Sequence, residues 1–146
     1  MAHAGLRAWW FARRPYTRGV KCVVRDADGR IVFVRHTYGN RRSWELPGGN
    51  LHRREDPEGA VRREMREELG VELHGLRTVG RVEVAGSHKR TELHCFEASV
   101  AGAELRVDPG ELEEVRWAAP AAPPQPLGPD AAAVLDLLAG GGAERG

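Results

Sequence analysis

Two short runs rich in β-branched residues, 20–25 and 31–35, flank the segment Asp26-Ala27-Asp28-Gly29-Arg30. An Asp-Gly pair between such runs is a hairpin signal, so they predict two antiparallel strands. Residues 37–42 form a polar, glycine-containing loop, and Ser43-Trp44-Glu45-Leu46 reads as a short strand entering a Pro47-Gly48-Gly49 turn. The apolar period then lengthens from two to four. Asp56-Pro57 marks a helix start, an Asx N-cap followed by proline at the first helical position, and Gly70 marks its end. Between them Val61, Met65 and Leu69 recur every fourth residue, a narrow stripe suited to facing a core. Strand-like runs return at 76–84, 91–100 and 113–117. Residues 118–129 hold five of the nine prolines and read as a stiff connector. A second helix is predicted over 130–139 and a flexible tail over 140–146. The pattern as a whole predicts an α/β domain spanning 18–139, a mixed β-sheet layered with two helices, preceded by an arm over 1–17.

A chain of 146 residues, 41% apolar and 29% charged, has the size and balance of one globular domain. It has no apolar run near the ~20 residues that a membrane span needs. Arg7, Arg13 and Arg14 interrupt Trp9-Trp10-Phe11, so the start lacks a secretory apolar core, and the expected location is cytoplasmic. Those aromatics beside Arg13 and Arg14 fit either an interfacial arm or a segment packed on the domain. Cys22 and Cys95 lie in apolar runs without metal-ligand spacing, which predicts small buried side chains. The net charge of +1 divides into +8 over residues 1–42 and −7 over 43–146. That asymmetry suits a polyanionic ligand held by arginines with a cation held by carboxylates; it equally suits a solvated, arginine-rich surface.

Glu64, Glu67 and Glu68 stand at i, i+3 and i+4 on the predicted helix, within a sector of about 100° beside the apolar stripe. The spacing predicts that all three face the protein body. Like charges so placed repel by ~0.2–0.5 kcal/mol per pair, and Arg63 alone cannot neutralise three of them. Clustered hard oxygens suit Mg²⁺ or Mn²⁺. Taken by itself, the same run also reads as a surface helix laced with ion pairs.

The wider spacing separates these readings. From Gly49 the chain runs five residues to Glu55, seven more to Arg63-Glu64-Met65, one to Glu67-Glu68 and one to Gly70-Val71. This resembles the Nudix box at all nine of its specified positions, and Leu46-Pro47-Gly48-Gly49 resembles the lead-in of that family. The resemblance implies a Nudix-type α/β/α sandwich. It also implies an enzyme that uses Mg²⁺ or Mn²⁺ and water to hydrolyse a nucleoside diphosphate linked to another group. Carried over by position, it implies Glu64, Glu67, Glu68 and the Gly48 carbonyl as metal ligands. Glu55 becomes the outer-sphere glutamate, and Arg63 the arginine that orients the others. Glu64 is one candidate base; Glu111 is another, in the place where many members supply a further carboxylate, with Glu114 behind it. The residue before the box glutamate is commonly glycine, and here it is Arg54. With Arg53 it adds two positive charges, either phosphate contacts or solvent-exposed groups.

For the substrate, Arg35 at the end of the second strand is the first choice for a phosphate contact, followed by Arg41 and Arg42. Trp44, Tyr38 and His36 offer rings for a base, although Trp44 at a strand-to-turn junction also reads as core. Residues 85–88 (Ala-Gly-Ser-His) lack the proline or tyrosine that would mark ADP-ribose or diadenosine polyphosphate hydrolases. The expected partner is therefore a small nucleotide-derived molecule, with no membrane and no nucleic acid, and with the oligomeric state open. Two other readings remain: a silent Nudix-fold module that senses a nucleotide, and an RNA-decapping hydrolase prompted by the basic first segment.

Overall fold

A computed structural model describes residues 16–36, 42–85, 89–101 and 105–145. The elements in order are β1 (Tyr16–Arg25), β2 (Ile31–His36), β3 (Gly48–Asn50), α1 (Pro57–Leu69), β4 (His74–Ala85), β5 (Arg90–Ser99), β6 (Leu112–Ala118) and α2 (Pro129–Arg145). They build a mixed sheet in the order β4-β5-β1-β2-β6, with β3 paired to β1. The β1–β5 pair is parallel and runs the full length of both strands, from Tyr16↔Arg90 to Arg25↔Ser99. The other pairs are antiparallel.

The hairpin turn closes on Asp26, whose Oδ1 accepts from the backbone N–H groups of Asp28 and Arg30, both at 2.9 Å. Beyond the single Arg25↔Ile31 pair, β1 and β2 diverge, and β3 takes the place beside β1 at Gly19–Lys21. This placement corrects the expectation of a strand over 43–46 followed by a turn. Trp44 and Glu45 form only isolated bridges, to Leu127 and Val34, and the glycines themselves are the strand. The reason is steric. A Cβ on Gly48 would stand 3.0 Å from Lys21 Cα and closer still to the Val20 carbonyl, so only a bare backbone lies this near β1.

Side-chain alternation sorts the core into two layers. Val20, Cys22, Val24, Val32, Val34 and Phe96 face α1, where Ala60, Val61, Met65 and Leu69 meet them, all buried. Val23, Ile31, Phe33, Leu93 and Cys95 face the other way, against Trp44, Leu46 and the α2 residues Ala131 and Val134. The sheet is thus covered by a helix on each side, the α/β/α arrangement that the resemblance implied. Cys22 and Cys95 are free, buried thiols, each pushed up to about 12, mainly by burial.

Two boundaries differ from expectation. β1 begins at Tyr16, inside the predicted arm, because Tyr16–Gly19 pair with Arg90–Leu93; residues 1–15 lie outside the described residues. The second helix continues to Arg145 and takes in most of the predicted tail. A glycine ends a helix by turning left-handed, as Gly70 does at φ 66°; residues 140–142 stay helical instead. Among the described residues no helix is long and apolar enough to cross a membrane.

Candidate active site

Helix α1 is fixed at both ends before it presents any functional group. The Asp56 carboxylate accepts from Gly59 N–H at 3.1 Å, Pro57 opens the helix, and the left-handed Gly70 donates to Arg66 O at 3.1 Å. With its rotation set by the buried Val61–Met65–Leu69 stripe, the helix aims Glu68 and Glu64 at β3. The Glu68 side chain is 5% exposed, and its Oε2 accepts the Gly48 N–H at 2.8 Å. The Glu64 carboxylate lies against Gly49, in space that any side chain there would fill.

Glu67 departs from expectation: its side chain is 58% exposed, at the rim. At about 100° per residue, Glu68 is turned roughly 60° from the centre of the apolar stripe, Glu64 roughly 100° and Glu67 roughly 160°. Membership of one sector therefore did not mean equal burial.

Electrostatically the cluster carries more negative charge than its neighbours offset. Glu68 is pushed up to about 7 by burial, against the Gly48 hydrogen bond and Lys21, with Glu64 and Glu111 adding to the rise. Glu64 is raised by burial as well, opposed by Arg63 and reinforced by Glu67 and Glu111. Lys21, missed at the sequence level, and His36, expected there only as a ring for a base, also belong here. Lys21 is buried and donates from Nζ to Leu46 O at 3.0 Å. The Nε2 of His36 stands 3.9 Å from Glu68 Oε1, and burial holds this imidazole below its ordinary value, aided by Lys21. A lysine inside an apolar strand run was the available signal for the first.

Arg63 organises the rim. Its Nε and Nη2 hold Glu55 bidentately at 2.8 and 2.9 Å, and Nη2 also donates to Asn50 O at 3.2 Å. That leaves Nη1 to reach Glu64 Oε1 at 2.9 Å and Glu67 Oε2 at 3.3 Å. Hydrogen bonds from Arg63, and then from His52 N–H, draw Glu55 down to about 2. Glu55 thus anchors the guanidinium and Arg63 spaces the two glutamates, a bidentate geometry that lysine lacks.

Among the described residues no three His, Cys, Asp or Glu side chains close around one point to enclose an ion by themselves. The donor chemistry nonetheless fits a hard divalent cation: carboxylate oxygens beside a peptide, with surplus negative charge, is what Mg²⁺ or Mn²⁺ takes together with water and substrate oxygens. A model of the NUDIX domain matches residues 15–138. The chain belongs to the Nudix family.

The Nudix box occupies the β3–α1 segment, and the fold is the α/β/α sandwich. The chain is 28% identical to the crystal structure of a MutT NUDIX hydrolase from Burkholderia pseudomallei, with a TM-score of 0.77, over 84% of this chain and 98% of that one. An RNA pyrophosphohydrolase of Rhodospirillum rubrum is 41% identical over 56 residues, 38% of this chain and 33% of that protein. An ADP-ribose pyrophosphatase of Mycobacterium tuberculosis is 34% identical over 122 residues, 64% of this chain and 58% of that protein. The chain spans between a third and two fifths of the length of the RNA pyrophosphohydrolases it matches.

Outside the Nudix box the predicted residues separate. Glu111 sits in the turn before β6, where its N–H binds Asp108 O at 2.9 Å, and its charge bears on both Glu64 and Glu68. Glu114 is engaged elsewhere, with Arg35 at 2.7 Å and Arg116 at 3.3 Å. Arg35 therefore already has a carboxylate, while its buried Nε has no hydrogen-bond partner among the described residues. Trp44 is 3% exposed, in the α2-side core, with the Arg116 and Arg35 guanidinia 4.6 and 5.1 Å from its ring. Such burial leaves no ring face for a base, which corrects the stacking role. Arg41 and Tyr38 lie outside the described residues.

Proposed function

We propose that this chain hydrolyses a phosphoanhydride bond in a nucleoside diphosphate linked to another group, with Mg²⁺ or Mn²⁺ as cofactor. The observation that carries the reading is the pair of carboxylates, half-buried Glu64 and buried Glu68, held against the Gly48-Gly49 backbone by Arg63 and the Gly48 N–H. Glu64, Glu67, Glu68 and the Gly48 carbonyl would hold the cation. When bound, it supplies positive charge against the charge that develops on the phosphoryl and leaving oxygens.

The protein's own groups do the rest. Arg63, anchored by Glu55, keeps the carboxylates in register before substrate arrives, so no reorganisation is needed at reaction. A water oxygen attacks phosphorus, the P–O bond of the anhydride breaks, and a carboxylate takes the water's proton. Glu64 and Glu111 are the candidates for that base, since both belong to one electrostatic cluster. The products are a nucleoside monophosphate and a phosphorylated second group. The expected substrate is a small nucleotide derivative.

Glu67→Gln and Glu68→Gln test the assignment. Each keeps its side-chain volume, and in Glu68→Gln the new amide oxygen still accepts the Gly48 N–H. The fold is expected to persist by circular dichroism while kcat falls by orders of magnitude. Turnover near that of the parent would refute the ligand roles.

A further inference from the structure

A cavity of about 450 Å³ opens at the start of the box, between the start of β1 and the loop that leads to α1. Tyr16, Arg18, Asn50, His52, Arg53 and Arg54 line it, and among the described residues its lining includes no carboxylate. It adjoins the hydrolytic cluster through Asn50, whose carbonyl accepts from Arg63. The loop is tied to β1 by the Leu51 N–H on Arg18 O at 2.9 Å. Arg18 shares Glu92 at 3.6 Å, but among the described residues neither Arg53 nor Arg54 has an ion pair. A positive cleft therefore abuts a negative cluster.

The loop backbone adds a second observation. Arg54 sits at φ 65°, the only non-glycine residue with positive φ among the described residues. An L-residue there carries a steric strain that glycine would avoid. A charge that merely faces water returns nothing for that strain, whereas a guanidinium that meets phosphate does.

We infer that this cleft is a second anion subsite, which takes phosphate groups that the substrate carries beyond the anhydride being broken. The inference deepens the proposed hydrolysis and rests on it for the identity of the ligand as substrate. Its chemistry is that of phosphate oxygens against arginine forks, and it favours substrates whose second half is itself phosphorylated. The volume is within the range of small-ligand sites.

The test is a calorimetric titration of the full chain with inorganic tripolyphosphate, in EDTA and at low salt, which reads the cleft without any turnover. The variant Arg53→Ala/Arg54→Gly removes both guanidinia and relieves the φ of residue 54, so it is expected to stay folded. Its affinity should fall at least tenfold, with a weaker salt dependence. A parent protein that does not bind, or a double variant that binds equally well, overturns the subsite. A second titrant, a short 5′-hydroxyl oligonucleotide, identifies the source of the phosphates. If it binds and the variant weakens it, the cleft takes backbone phosphodiesters; if only tripolyphosphate does so, the cleft takes a compact polyphosphate. Failure of the hydrolysis itself reads differently: Glu68→Gln would match the parent in turnover while the tripolyphosphate titration is unaffected.

Discussion

Replacing Gly49 with alanine adds one methyl group at the point where β3 touches the cluster. A Cβ built there stands 2.5 Å from Glu64 Oε2 and closer still to its Cδ and Oε1, while ordinary contact begins at 3.4 Å. The carboxylate must retreat by about 1 Å. Because these atoms are the far end of a flexible side chain, the backbone need not move, and the lower chain entropy of alanine when unfolded offsets part of the cost. Stability is therefore expected to change by less than about 1 kcal/mol in urea denaturation. Activity responds differently. A group displaced by ~1 Å from its working position costs about 10²-fold, so kcat should drop roughly a hundredfold and Mn²⁺ affinity should weaken, as read by water-proton relaxation. Turnover within threefold of the parent, at equal stability, would refute the claim that Glu64 works from this position. Gly48→Ala is the contrasting case. Its Cβ collides with the β1 backbone at Val20 and Lys21, so stability rather than kcat alone should collapse.

Other outcomes follow from the same geometry. Arg54→Gly relieves the left-handed backbone at φ 65° and, after allowing for glycine's larger unfolded entropy, should stabilise the fold by about 0.5–1 kcal/mol; a lower urea midpoint would contradict this. The Glu45 carboxyl is pushed up to about 7, mainly by burial, with Asp130 adding while Lys21 and the Ala131 N–H oppose. The native state thus holds this proton more tightly than the unfolded chain, at its ordinary 4.5. The stability it contributes is full below pH 4.5 and is lost as pH rises through 7, on the order of 3 kcal/mol. Glu45→Gln should flatten that fall, and identical pH slopes in urea denaturation would refute it.

Much of the fold was legible because side-chain periodicity determined it. The stripe Val61–Met65–Leu69 identified the helix face that packs on the sheet, and the β-branched runs 20–25 and 31–35 identified two of the strands beneath it. β3 escaped notice because Gly48-Gly49-Asn50 carries no strand propensity; it pairs with β1 through the absence of side chains. The site was partly legible for the same reason. Spacing brought Glu64 and Glu68 to one face, while the exposure of Glu67 depended on its angle from the stripe. His36 and Lys21 come from strands distant in sequence, and only the sheet order brings them to Glu68. The departure at Arg54 was visible as a missing glycine, but its meaning required the backbone angle.

The most direct measurement is a hydrolysis screen with Mg²⁺ or Mn²⁺. It should cover nucleoside triphosphates, ADP-ribose, nucleotide sugars, dinucleoside polyphosphates and 5′-triphosphorylated or capped RNA, with Glu68→Gln beside the parent. The expected result is turnover of at least one class that releases a nucleoside monophosphate or the equivalent RNA 5′-monophosphate, needs the added metal, and is lost in the variant. Silence across the panel while Mn²⁺ and nucleotide still bind would contradict it, and would make this Nudix chain a nucleotide-binding module.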